Sequence, residues 1–237
     1  MVGKVNSFGS ESDPGMPHSK SVVAASAPAT LATEHSSRWK LLAWTGLPLV
    51  AWNALFLVWW MVNHSVAMEN GPMENLQALF LLVGGTFYFH CARGAAIGSR
   101  VLFGGVSLFY LTFFVREMDF TDYDVPALNA VFRGPIRKAW LGVLWALGVL
   151  WFLKHRVAAW RAFLEWLRLP GTVLLILAGT LWGSSSAVEK LHLIRPRLVS
   201  FFVEESLEVN AAWLMLVSAG LTWRIYRVAR SETSQNC

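Results

Sequence analysis

Charge is scarce in this sequence. Only 15% of its 237 residues are Asp, Glu, Lys or Arg, while 55% are hydrophobic; soluble domains carry about 25% charged residues. Outside the apolar runs, too little chain remains to bury a separate soluble core. Cysteine is nearly absent, with Cys91 and Cys237 alone. Both fall on the side expected to be cytoplasmic, so no disulfide is expected. The ending SQNC is not a prenylation box. A G-x-S-x-G elbow, a Walker loop, a dinucleotide fingerprint and a CxxC pair are all missing. No nucleophile–base pairing is recognisable.

Long apolar runs are what the chain has instead. They cover about 41–62, 73–92, 101–120, 139–153, 170–188 and 201–223. A helix needs roughly 20 residues to cross a hydrocarbon core of about 30 Å. The expected fold is all-α, a polytopic membrane helix bundle of six transmembrane helices within residues 38–230. The fourth run is short unless Lys138, Lys154 and Arg156 snorkel to the two surfaces. Gly179 and Gly183 form a G-x-x-x-G, and with Gly84, Gly85, Gly104 and Gly105 they suggest close helix packing.

Residues 1–37 are rich in Ser, Ala, Gly and Pro and read as a disordered tail. Within them SVVAASAPATLA resembles a weak signal peptide, but Ser and Pro break its apolar stretch and no cleavage is expected. Residues 231–237 read as a short tail.

The net charge of +5 and pI near 9.5 do not imply nucleic acid, because the basic residues cluster beside apolar runs. Thirteen Lys and Arg lie in the tails and even-numbered loops, and seven in the odd-numbered loops. The positive-inside rule therefore puts both termini in the cytoplasm. The segment 154–169 is amphipathic. Val157, Trp160, Phe163, Leu164 and Leu167 share one helical face, and Arg161, Glu165 and Arg168 another. It suits the cytoplasmic headgroup layer, against membrane lipids, or a plain extension of a spanning helix.

The acids distribute the other way. Ten lie on the non-cytoplasmic half and five on the cytoplasmic half. Glu74 opens the second helix; Arg116, Glu117 and Asp119 close the third; Glu204, Glu205 and Glu208 open the sixth. Those last three fall within an arc of about 100°. An acid at the bilayer centre costs about 2.5–3.5 kcal/mol, and less near an interface. The economical arrangement turns that arc inward, towards Arg116, Glu117, Glu74 and His192, around a pocket open to the outer face. A purely structural ion-pair network collects charges in the same way.

Three kinds of chemistry are open to such a pocket. Glu189 and His192 form an E-x-x-H at its edge, but one such motif is too few for a di-iron site and imidazole is too scarce for a zinc hydrolase. Oxygen-rich clusters suit a divalent cation such as Mg, Ca or Mn. Proton or cation passage lacks polar counterparts on the cytoplasmic half. A binding or assembly protein would hold a lipid amine, a basic segment or a helix of another membrane protein. The loop 117–138, with Asp122, Tyr123 and Asp124, has the length of a lid or of an ordinary connector.

The stretches MENGPMENLQALF, VREMDF and FVEESLEVNAA together resemble bacterial polytopic inner-membrane proteins of unassigned activity. Those proteins carry a Glu near one helix start, an R-E-x-D-F-like turn and an E-E-x-x-E helix. The resemblance covers helices two, three and six. It implies one constellation of Glu74, Arg116, Glu117, Asp119, Glu204, Glu205 and Glu208 in a bacterial inner membrane. Binding of a cation or cationic group there is the first functional expectation. A non-catalytic accessory subunit with structural charges is the second.

Overall fold

In a computed structural model five of the six apolar runs lie within helices, and the third is helical as far as Glu117. The structure describes residues 30–67, 71–118, 130–132, 134–191 and 197–235; side chains are described between residues 45 and 228 of these, except at Glu189 and Leu191. The chain forms two units, Met1–Leu41 and Leu42–Cys237. Of the first, residues 30–41 are described, and they are helical.

The helices are α1 (Thr30–Val62), α2 (Pro72–Gly94), α3 (Ile97–Glu117), α4 (Gly134–Lys154), α5 (Arg156–Trp166), α6 (Pro170–Leu191) and α7 (Arg197–Gln235), with a 3-10 turn at His64–Ala67. No strand occurs among the described residues.

Several boundaries differ from the sequence reading. α1 opens at Thr30, inside the segment read as a disordered tail; residues 1–29 lie outside the described residues. α4 begins at Gly134 and reaches 21 residues by taking in Lys138 and Lys154 at its two ends. Its first turn carries Pro135, where the missing N–H is no loss. α3 stops at Glu117, and Asp119, Asp122, Tyr123 and Asp124 fall outside the described residues. α7 runs to Gln235, past the span expected to end at 223 and into the segment read as a tail.

Among the described residues, four helices are long and apolar enough to cross a membrane: Thr45–Val62 within α1, Ile97–Glu117, Gly134–Lys154 and Pro170–Val188. α2 and α7 are not among them, because polar positions such as Gln77 and His90, or Asn210, Ser218 and Thr222, lower their hydropathy. These two helices form the centre. α2 packs along α3 and α7, and α7 along α6.

The burial pattern explains why. In α2, Met73, Gln77, Leu81, Tyr88 and Cys91 repeat at helical spacing and are all buried. Val209, Ala212, Met215, Ala219 and Thr222 do the same in α7. Small residues let the backbones approach, which is how helices associate where lipid gives no hydrophobic drive. A methyl group on Gly84 would stand 2.6 Å from the Tyr110 ring, and Tyr110 donates to the Met215 carbonyl at 2.7 Å. Tyr88 meets Ser218 at 3.2 Å, and Ser107 donates to the Gly85 carbonyl at 2.9 Å.

The outer helices face away from this core. α4 has no buried residue. It touches α3 through Trp145, which donates to Thr112 at 2.9 Å, and through Trp151 beside Gly104. α5 packs on α3 with Ala158 against Gly98, and buries Ala159, Ala162 and Trp166. Its Val157, Trp160, Leu164 and Leu167 are exposed, and Phe163 is half-buried. The G-x-x-x-G does not behave as expected: a Cβ on Gly179 or Gly183 would meet nothing within 4 Å. Gly105 is equally open. Close approach is found as expected at Gly84, Gly85 and Gly104, and also at Gly98 and Gly171.

α1 reaches α7 through polar side chains. Trp52 and Asn53 both donate to Asn210, at 2.9 and 2.8 Å. Trp213 donates to the Thr45 carbonyl at 3.1 Å, in the turn that Pro48 disturbs. A neighbouring donor is what a Pro-interrupted helix needs in an apolar setting.

Candidate functional site

Glu208 is the meeting point of four helices. Its Oε1 accepts from Ser185 of α6 at 2.7 Å and lies 3.5 Å from Arg116 Nη2 of α3. Its Oε2 accepts from Gln77 of α2 at 3.2 Å. Glu208 is 4% exposed, and Gln77 and Ser185 are fully buried. A buried carboxylate is tolerated when each oxygen has a donor or a cation, and here both have.

Around this anchor the other acids gather. Glu117 is buried at the last turn of α3, and its Oε1 lies 3.0 Å from Arg116 Nε, too far out of line for a hydrogen bond. Glu205 stands within electrostatic reach of Glu208, Glu74, Glu117 and Glu204. Five carboxylates thus share one region, and Arg116 pairs with two of them. Arg116 is half exposed and also lies over the rings of Phe113 and Trp182, at 6.0 and 5.8 Å. Such stacking holds a guanidinium without neutralising it.

The hydrogen-bond balance is uneven. Gln77 Oε1, Glu117 Oε1 and Glu205 Oε2 are buried without a hydrogen-bond partner, and so is the Ser206 hydroxyl. Gln77 Oε1 accepts only, and the two carboxyl oxygens do so when ionised. Buried acceptors without donors are rare enough to require an explanation.

The structure therefore brings together Glu74, Arg116, Glu117, Glu204, Glu205 and Glu208. Asp119 and His192 lie outside the described residues, as does the Glu189 side chain. Among the described residues no group of three His, Cys, Asp or Glu is disposed to hold a metal ion.

Two contributors escaped the sequence reading. Ser185 sits in the run GSSSA, where a serine that caps a carboxylate looks like any serine bonding back to its own helix. Ser184, its neighbour, does bond back, to the Thr180 carbonyl at 2.9 Å. Gln77 was visible as a polar residue inside an apolar run, but its role depends on which helix faces it.

No protein-family model, curated protein or solved structure matches the chain.

Proposed function

We propose that the chain is a six-span bacterial inner-membrane protein, both termini cytoplasmic, whose carboxylate cluster binds a cation or a ligand's cationic group from the outer side. One observation carries this reading: the cluster holds more acceptors than donors. Glu205 Oε2 and Gln77 Oε1 are buried without a hydrogen-bond partner, and the single guanidinium, Arg116, is already paired with Glu117 and Glu208. A guest that brings positive charge and hydrogen-bond donors would complete them. The four apolar helices and the one-sided distribution of acids support the membrane setting.

A second reading has its own support. Glu208 is fully satisfied by Ser185, Gln77 and Arg116, as a purely structural lock between helices would be. If all the acids serve that end, the protein is a non-catalytic accessory or assembly subunit of a membrane complex.

Thermal unfolding of the full-length protein in a non-ionic detergent separates the two. Wild type and Glu205→Gln would be melted with Mg, Ca, Mn, methylammonium or guanidinium present. The binding reading expects at least one of these to raise the wild-type midpoint and to leave the variant unmoved. If no cation shifts wild type, and Glu205→Gln melts earlier than wild type, the acids are structural.

A further inference from the structure

Beside the carboxylate cluster, α1 and α7 stand apart over a defined stretch. At one end Asn53 and Asn210 bridge them, with contacts of 2.8 and 3.2 Å. At the other end Trp60 packs on Phe202, ring centroids 5.1 Å apart. An open groove of about 650 Å³ runs between the two helices past the Asn53–Asn210 bridge, walled by Val50, Leu57, Leu181, Phe202 and Leu207. Along α1 its lining runs from Leu49 to Leu57, eight residues, about 12 Å at the standard helical rise.

Glu205 stands where cluster and groove meet. Viewed down α7, Glu208 lies about 60° to one side of it and Phe202 about 60° to the other. Glu208 belongs to the cluster and Phe202 to the groove. Ser206, the next residue, lines the groove. Both carry a buried oxygen with no hydrogen-bond partner, Glu205 Oε2 and Ser206 Oγ. Gln77, fully buried, adds a third unmatched oxygen on the cluster side.

We infer that this junction binds a membrane lipid whose head ends in a primary ammonium, with the ammonium on Glu205 and the apolar chain along the groove. The inference rests on the cation-binding reading above and names its ligand. The chemistry is selective in two ways. Unmatched acceptors need N–H donors, which a primary ammonium has and a trimethylammonium lacks. An apolar groove between separated helices rewards a hydrocarbon tail, which a metal ion or a small amine does not have.

The test melts the full-length protein in mixed micelles with phosphatidylethanolamine, phosphatidylcholine of the same chains, free ethanolamine, or a divalent cation. Two groove-filling variants, Leu57→Trp and Ser206→Trp, approach from opposite walls, so misfolding of one leaves the other. Glu205→Gln removes the charge. Phosphatidylethanolamine at tenfold excess over its Kd should raise the wild-type midpoint by about 3–6 °C. Phosphatidylcholine should not, and both kinds of variant should abolish the shift. If ethanolamine or a divalent cation stabilises as well as the lipid, and filling the groove changes nothing, the cation site stands and the lipid inference is overturned. Equal shifts from both lipids also overturn it. If nothing stabilises wild type, both readings fall together.

Discussion

At the scale of single residues, Glu208 and Glu205 are one helical turn apart and do different things. Glu208 has donors or a cation on both oxygens, from three other helices. Its replacement by Ala takes the partner from the buried Gln77 and Ser185, and each buried donor left unsatisfied costs about 1–3 kcal/mol, while the half-exposed Arg116 keeps Glu117. The expected outcome for Glu208→Ala is a large fall in melting temperature or failure to purify as a monodisperse species. Glu205 is the opposite case. It faces four other carboxylates, and one of its oxygens has no hydrogen-bond partner. Neutralising it relieves like-charge repulsion, and the new amide supplies donors. Without ligand, Glu205→Gln should melt no lower than wild type. A drop of more than a few degrees in the same assay would place Glu205 in the structural lock beside Glu208.

At the scale of helices, close approach depends on which glycines face a neighbour. The sequence offers a G-x-x-x-G in α6, yet Gly179 and Gly183 both face open space. Gly179→Ala should therefore be tolerated, and gain about 0.5–1 kcal/mol from helix propensity. Gly98 lies against the backbone of Ala158, where α5 docks on α3. Gly98→Ala should loosen that contact and destabilise by about 1–3 kcal/mol, as overpacking does. Parallel thermal melts of the two variants decide the matter, and an inverted order would mean that α5 docks elsewhere. The amphipathic segment 154–169 was readable from its spacing, and a separate helix, Arg156–Trp166, forms there. Which face touches protein was not readable. Val157, Trp160, Leu164 and Leu167 stay outward while Ala159, Ala162 and Trp166 are buried, and Ala158 meets Gly98, where only a small side chain fits.

At the scale of the whole molecule, the proposed topology makes a direct prediction. With six spans and cytoplasmic termini, a fluorescent reporter that folds only in the cytoplasm should glow when fused after Cys237. A cysteine placed at Ser65, between α1 and α2, should react with a membrane-impermeant thiol reagent added outside intact cells. Cys91 is buried and does not compete, and Cys237→Ser removes the other thiol. Labelling of Ser65→Cys only after the membrane is opened would invert the topology and move the carboxylate cluster to the inner face.

The sequence by itself determined that the chain is helical, where the apolar stretches of the long helices lie and that Glu74, Arg116 and Glu117 sit near helix ends; Glu204, Glu205 and Glu208 lie further in, the eighth, ninth and twelfth residues of α7. Apolar run length and the scarcity of charge suffice for that, since only hydrogen-bonded helices suit such runs. The tertiary structure decided the partners. Gln77, Ser185 and Arg116 reach Glu208 from helices distant in the chain, 131 positions away for Gln77 and 23 for Ser185. No local pattern encodes which of several buried polar residues will face a given carboxylate. The groove between α1 and α7 is the same kind of fact: its walls come from residues 49–57 and 181–210, and only packing leaves the space between them open.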